Sequence, residues 1–409
     1  MAIVVQKYGG SSVANAGLVQ HVARRVIQEK KKGHQIVVVV SAMGDMTDDL
    51  ISLAHQITQR PSDREMDMLL STGEQVSMSL LAMAIQEQGE RAVSFTGPQI
   101  GIITDPFHTK ARIVGIEAGC IREALRKKNI VVVAGFQGKT PSGEITTLGR
   151  GGSDLTAVAL AKALKARYCE IYTDVDGVFT ADPRVVPEAR KIDVISYDEI
   201  LEMASLGAKV MHNRSIEVGK KFNVPIYVRN SRNFKEGTLI TKETKAMEEV
   251  TVRGVALTED EAKITLFRVP DQPGVAAKLF QKLSDAKVNI DMIIQNKTET
   301  KTTDISFTVY KNELQKALDV VKQSAKALKA GHVACDENIA KISIVGVGMR
   351  SHSGIASKMF GALARKKINI DMISTSEIKI SCVVDGKKGR LAARTIHKEF
   401  GLEKAITHE

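Results

Sequence analysis

Two runs of five consecutive apolar residues, Ile36-Val37-Val38-Val39-Val40 and Ile130-Val131-Val132-Val133-Ala134, constrain the fold of this chain more than any other feature. A strand with one wet face alternates polar and apolar residues. These runs do not, so both of their faces must be covered, as in a mainly parallel sheet with helices on either side. Shorter strand-like runs at 2–5, 92–95 and 170–173 alternate with helical stretches at 13–30, 48–57, 67–88 and 155–166. Residues 1–245 therefore read as an α/β domain, whose ligands are expected at the carboxyl ends of the strands.

The second half obeys a different rule. Gly-Val-Ala-Ala-Lys-Leu-Phe at 274–280 returns as Gly-Ile-Ala-Ser-Lys-Met-Phe at 354–360. Val-Asn-Ile-Asp-Met-Ile at 288–293 returns as Ile-Asn-Ile-Asp-Met-Ile at 368–373, again at an offset of 80. This is an internal duplication. The first copy reads strand 263–269, helix 274–285, strands 289–295 and 304–310, and helix 313–328, a ferredoxin-like unit. The second has strands at 341–347, 369–374 and 377–384 and ends early, with only Ala405-Ile406 after its last helix. The strand-like stretch 250–256 is expected to complete its sheet, nesting one unit inside the other. The expected domains are 1–245, 263–336, and 249–260 plus 337–409.

Composition narrows the function. At 409 residues, 43% apolar and 26% charged, the chain has the make-up of an ordinary soluble protein of two or three domains. It has no run of about 18 apolar residues and no signal-peptide pattern, so a cytoplasmic location without a membrane is expected. Cys120, Cys169, Cys335 and Cys382 are too scattered for a zinc site or a disulfide framework. The net charge of +11 resides in helix-end patches such as Lys30-Lys31-Lys32 and Arg126-Lys127-Lys128. Without Trp or a binding motif it points away from nucleic acid. The methionines at 66, 68, 78 and 83 read as core filling.

Two glycine-rich loops sit between a strand and a helix. Lys7-Tyr8-Gly9-Gly10-Ser11-Ser12 follows the first strand, and Gly149-Arg150-Gly151-Gly152-Ser153-Asp154 opens the helix at 155. Glycines let backbone N–H groups approach an anion, and a helix start adds positive potential. Phosphoryl transfer needs fixed cations and positioning more than a covalent nucleophile, which Lys7 and such loops supply. A carboxylate acceptor, already ionised, needs no general base. On the residues alone, Arg150 and Asp154 fit a structural ion pair as well as a substrate contact. Glu74 equally fits a solvated helix face, Asp174 and Asp176 the shaping of a turn, and His212 a structural role.

Taken together, Lys7–Ser12, Ser41-Ala42-Met43-Gly44, Thr72-Gly73-Glu74, Gly135-Phe136-Gln137-Gly138, Thr147–Asp154 and Thr173-Asp174-Val175-Asp176-Gly177-Val178 resemble the aspartate kinases of the amino acid kinase fold. The duplicated half resembles a pair of ACT domains. The resemblance implies ATP-dependent phosphorylation of the aspartate β-carboxylate, the first step toward lysine, threonine and methionine. It implies that Lys7 and Asp154 organise the transferring phosphate, with Asp154 orienting the lysine. It gives Ser41, Thr47, Glu74, Arg150, Gly152 and Ser153 to aspartate. It gives Gly9, Gly10, Ser11, Thr173, Asp174, Phe179, Asp182, Arg184 and Lys209 to ATP, with Mg²⁺ carried mainly by its phosphates.

The same resemblance implies feedback by lysine or threonine. The effector would sit on Asp271, Gly274, Val275 and Ala276 and on Asn289, Ile290, Asp291 and Gln295. The matching positions of the second copy are Gly354, Ile355, Asn369 and Ile370, with Ser376 and Glu377. One departure stands out: Ser353 occupies a place where ACT loops usually carry proline. Assembly through the ACT domains is expected as a homodimer, or as an α2β2 complex if Met247 serves as an internal start. A kinase of glutamate or acetylglutamate is disfavoured by Thr72-Gly73-Glu74 and the paired ACT units. An inactive sensor is disfavoured by the intact Lys7, Arg150, Asp154 and Lys209.

Overall fold

The computed structural model describes residues 1–207, 211–244, 247, 249–297 and 302–404. The chain forms two compact units: Met1–Val178, Lys191–Ser205 and Lys209–Met247 make the first, and Phe179–Arg190, Leu206–Ala208 and Glu248–Glu409 the second.

In the first unit, β1 (Ile3–Tyr8) leads through a 3₁₀ turn at Gly10–Ser12 to α1 (Ala16–Lys31) and β2 (Gln35–Val40). Next come α2 (Met46–Ile57), α3 (Asp63–Glu87), β3 (Ala92–Phe95), β4 (Ile102–Thr104) and β5 (Ile113–Ile116). α4 (Gly119–Arg126), β6 (Ile130–Ala134), β7 (Gln137–Lys139), β8 (Ile145–Thr147), α5 (Gly152–Leu164) and β9 (Tyr168–Thr173) follow. The unit closes with β10 (Val194–Ser196), α6 (Tyr197–Ser205), α7 (Asn213–Phe222), β11 (Ile226–Asn230) and β12 (Thr238–Thr241).

Eight strands form one sheet in the order β10-β12-β11-β9-β1-β2-β6-β3, parallel except where β11 meets β12. β6 and β2, the latter apolar from Ile36 onward, lie inside it, with those apolar residues buried on both faces. β4, β5, β7 and β8 form a separate small sheet. Local chemistry sets the helix starts: Asn15 caps α1 by accepting from Leu18 N–H at 3.0 Å, and Ser62 caps α3 by accepting from Glu65 N–H.

α3 is long and apolar enough to cross a bilayer, but half of that window is buried in the unit, packed beside α1 and β6. It also carries two buried carboxylates, Asp67 and Glu74, and is a core helix. The expected core-filling role of its methionines holds for Met78 alone among the fully buried residues. Met68 and Met83 lie on the open face, 42% and 61% exposed, because helical spacing turns them away from the sheet.

In the second unit, β13 (Gly254–Thr258) precedes β14 (Glu261–Pro270), α8 (Val275–Asp285), β15 (Ile290–Lys297), β16 (Thr302–Tyr310), α9 (Leu314–Leu328) and β17 (Val333–Asp336). Then follow β18 (Ile339–Val345), α10 (Ile355–Arg365), β19 (Met372–Thr375), β20 (Lys379–Asp385) and α11 (Gly389–Glu399). The sheets are β15-β16-β14-β17 and β13-β18-β20-β19. The stretch before the first copy does supply a strand to the second sheet, over 254–258 and not 250–256. Ala405-Ile406 lies outside the described residues.

Residues 179–190 depart from a boundary at 245. Ala181 and Val186 are buried in the core of the second sheet with Val255, Ile342, Ala393 and Ile396. Val255 N–H donates to Thr180 O, Arg394 Nε donates to Val185 O, and Thr180 Oγ1 pairs with the buried His397 Nε2 at 2.9 Å. Burial holds the His397 imidazole below its ordinary pKa. Between the two sheets Met292, Ile339, Met372 and Val383 pack together. Beside them Lys341, 1% exposed, pairs with Glu261 at 2.5 Å and with Asp291.

Candidate active site

The first unit turns outward in both directions from β1: β2 and β6 lie on one side, β9 and β11 on the other. That reversal opens a crevice at the strands' carboxyl ends. Lys7, on β1, places Nζ 2.6 Å from Asp154 Oδ1, in the first turn of α5. Asp154 thus pairs with Lys7. Arg150 is exposed, just ahead of α5.

Close backbone approaches assemble the loops. Gly9 N–H donates to Tyr172 O at the end of β9, and Gly44 N–H donates to Gly10 O. A Cβ on Gly10 would stand 2.8 Å from Ala42 O, so glycine is what lets the 41–44 loop close in. Ser41 N–H donates to Tyr8 O, and Thr47 follows in the first turn of α2. Gly135, after β6, lies against Ser153 closely enough that a Cβ would meet its Cβ at 2.8 Å. Gly151 has φ +73°, and a Cβ there would lie 2.3 Å from His212 Cβ. His212 has the structural role open to it, capping α7 by accepting from Arg214 N–H. Ser11 lies in the 3₁₀ turn, and Gly152 and Ser153 begin α5.

Glu74 is not a solvated helix residue. It is 3% exposed; Ala42 N–H donates to Oε1 at 3.2 Å, while Oε2 has no partner. Burial pushes its pKa up to about 8. A buried carboxyl with one unsatisfied oxygen is poised to receive a cation.

Two features escaped the sequence reading. Asp67, two turns before Glu74 on α3 and fully buried, accepts from His108 Nδ1 at 2.7 Å, Thr109 N–H at 3.1 Å and Thr147 Oγ1 at 2.5 Å. This clamp ties the 105–109 loop to the strand leading into Gly149. Arg214 adds a second tie, donating to Leu148 O at 2.6 Å and Ala111 O at 3.1 Å. The seven-residue spacing of Asp67 and Glu74 was the available signal, since it puts both on one helix face.

Of the residues expected at ATP, Thr173 ends β9 and Asp174 follows it, exposed, accepting from Thr173 Oγ1. Asp176 shapes the turn: Asn230 Nδ2, Asn233 Nδ2 and Lys235 Nζ all donate to it. Phe179, Asp182 and Arg184 belong to the second unit, where Arg184 and Asp182 pair with each other at 2.8 Å. Lys209 lies outside the described residues.

Of the residues expected at an effector, Gly274 and Gly354 occupy matching left-handed positions that start α8 and α10, at φ +88° and +83°. Asp271 precedes the first, and Val275, Ala276 and Ile355 begin the helices. Asn289 is held by Glu313, Asp291 by Lys341, and Glu377 by Arg350 at 3.4 Å. Ile290 and Gln295 lie on β15; Asn369 and Ile370 precede β19; Ser376 turns back to Lys379.

Residues 2–230 match the Amino acid kinase family, and residues 268–324 and 342–400 match the ACT domain. The chain is 53% identical over 405 residues to an aspartokinase of Pseudomonas aeruginosa, covering 98% of each, and 50% identical to one of Geobacillus stearothermophilus, again covering 98% of each. Among solved structures it is similar to E. coli aspartokinase III in complex with aspartate and ADP, with 26% identity and a TM-score of 0.77, covering 97% of this chain and 99% of that one. With the amino acid kinase match over residues 2–230 and relatives this close along nearly its whole length, the chain belongs to the aspartate kinases of the amino acid kinase family.

Proposed function

We propose that this chain transfers the γ-phosphoryl group of ATP to the β-carboxylate of L-aspartate, giving 4-phospho-L-aspartate and ADP at the head of lysine, threonine and methionine synthesis. The observation that carries this reading is the Lys7–Asp154 pair at the mouth of the glycine loops. An ammonium held in one orientation offers fixed positive charge to a migrating phosphoryl group without reorganising.

In this reading a β-carboxylate oxygen attacks the γ-phosphorus, a new P–O bond forms, and the bond to the β,γ-bridging oxygen breaks. The acceptor is already ionised, so no proton moves. Lys7 and the N–H groups of Gly10 and Ser11 hold the phosphates, while Gly9, its N–H given to Tyr172 O, shapes the loop beneath them. Arg150 grips the α-carboxylate bidentately. Glu74 takes the α-ammonium, which supplies the cation its buried oxygen lacks. Ser41, Thr47, Gly152 and Ser153 complete the aspartate site. Thr173 and Asp174 serve the nucleotide. The exposed Asp174 suits a hydrated Mg²⁺ brought on ATP, whose charge would offset that of the phosphates.

Regulation by lysine or threonine at the ACT residues belongs to the same proposal, supported by a related structure, E. coli aspartokinase III, described with lysine and aspartate. So do assembly as a homodimer or, with an internal start near Met247, as α2β2, and a cytoplasmic location. The deciding assay incubates the protein with ATP, Mg²⁺, aspartate and hydroxylamine, which traps the acyl phosphate as a hydroxamate. No ATP-dependent hydroxamate from aspartate would sink the reading. Lysine and threonine added singly and together test the feedback, and no effect of either would remove it.

A further inference from the structure

α1 carries an arginine that the reaction as described leaves unused. Arg25 is 7% exposed, yet its Nη1 is spent on backbone carbonyls: Asn230 O at 3.1 Å, Ser231 O at 3.4 Å and Asn233 O at 2.5 Å. Its guanidinium also lies 4.4 Å from the Tyr172 ring centroid and 4.9 Å from that of Phe234. A planar, delocalised cation with several donors suits this setting, stacked on rings while its edge collects carbonyls.

The loop that Arg25 grips is the one that grips the start of the 173–178 loop. Ser231 N–H donates to Thr173 O at 2.8 Å, and Asn230 Nδ2 donates to Asp174 O at 3.2 Å and Asp176 Oδ1 at 2.7 Å. Asn233 Nδ2 adds a bond to Asp176 Oδ1 at 2.9 Å. These bonds, Asn233 first and then Asn230, hold the Asp176 carboxyl below its ordinary pKa, so it stays an acceptor. The stacking leads to the other side of the cradle. Tyr172 stacks on Tyr8 at 4.6 Å, and Tyr172 O receives Gly9 N–H.

We propose that Arg25 is a positioning residue for ATP, fixing the 230–233 loop and Tyr172 so that Thr173–Asp176 and Gly9 present a preformed nucleotide site. This rests on the nucleotide reading of those loops. Arg25 does not touch aspartate's expected partners Glu74, Arg150 or Ser153, so its effect is selective for one substrate.

The test uses the full chain with Arg25→Lys, Asn233→Ala and the double variant. The wild type is first shown to form hydroxamate; its failure there would count against the kinase reading and not against Arg25. Each single variant is expected to raise the KM for ATP about 10-fold and leave that for aspartate within about twofold, as for loss of a multidentate contact. Calorimetric titration with ADP, which needs no turnover, should weaken by the same factor. The double variant should be no worse than the worse single one, because both cut one chain of contacts. Equal rises in both KM values, or a lower melting temperature with unchanged ADP affinity, would overturn the proposal. Should Arg25→Lys fail to fold, Asn233→Ala, at a partly exposed residue, decides by the same ADP titration.

Discussion

Lys7 Nζ stands 2.6 Å from Asp154 Oδ1, so the cation of the first glycine loop is aimed by the first turn of the helix that follows the second. Two loops far apart in the chain thereby form one electrostatic device. Lys7→Met is expected to cut kcat by about 10³-fold or more, and Asp154→Asn by about 10²-fold, with folding intact by circular dichroism. Near-normal turnover in Lys7→Met would remove that ammonium from the mechanism.

Glu74 makes aspartate affinity depend on pH. With its pKa near 8 in the free protein, the carboxyl is mostly protonated at neutral pH and must ionise to take the α-ammonium. The KM for aspartate should therefore fall as pH rises from 6.5 toward 8 and level off above it, by about 10-fold per unit at the steepest. Glu74→Gln should raise that KM and flatten its profile; a profile identical in wild type and variant would refute the assignment.

The same group should weaken the free protein. Its folded-state pKa exceeds the unfolded value of 4.5, so the folded state holds the proton longer, and stability is lost as pH rises from about 4.5 through about 8. Glu74→Gln removes that loss. Its melting temperature without ligand should exceed the wild type's at pH 8.5 and approach it at pH 5. A gap that does not widen with pH would contradict the argument.

Gly151→Ala tests backbone geometry alone. The left-handed φ and the 2.3 Å approach to His212 Cβ leave no room for a methyl group. The cost is expected to be about 1–3 kcal/mol in denaturant titration, with a larger loss of turnover because Arg150 and Gly152 flank the strained position. Wild-type stability and activity together would refute it.

In the second unit, Lys341→Met strands Glu261 and Asp291, and burial already pushes the Glu261 pKa up. A loss of about 3–5 kcal/mol is expected, with most of the Glu261 share recovered in Lys341→Met/Glu261→Leu. If the double variant is no better than the single one, the ion pair is not what the lysine supplies.

The parallel core was legible because 36–40 and 130–134 carry no polar residue to compromise the inference, and the duplication because its copies share one offset. The small sheet was not: β4, β7 and β8 are three residues each, too short for periodicity to register. At the site, glycine spacing exposed the loops but not their supports. Arg25 and Arg214 reach mainly backbone carbonyls, which leave no mark in side-chain pattern, and the side-chain partners of Asp67, His108 and Thr147, lie 41 and 80 residues away. Glu74 looked amphipathic on its helix because burial of a carboxyl depends on what covers it, here the 41–44 loop.

The insertion at 179–190 has a mechanical consequence. It leaves the first unit after Val178 and returns at Lys191, while Ala181 and Val186 are lodged in the core of the second. The units are thus stitched by several passes of the chain, like cloth held by a running thread and not by a single knot. A protease nick near Met247 would cut one pass only; the two fragments should co-elute from a sizing column in native buffer and part only in denaturant.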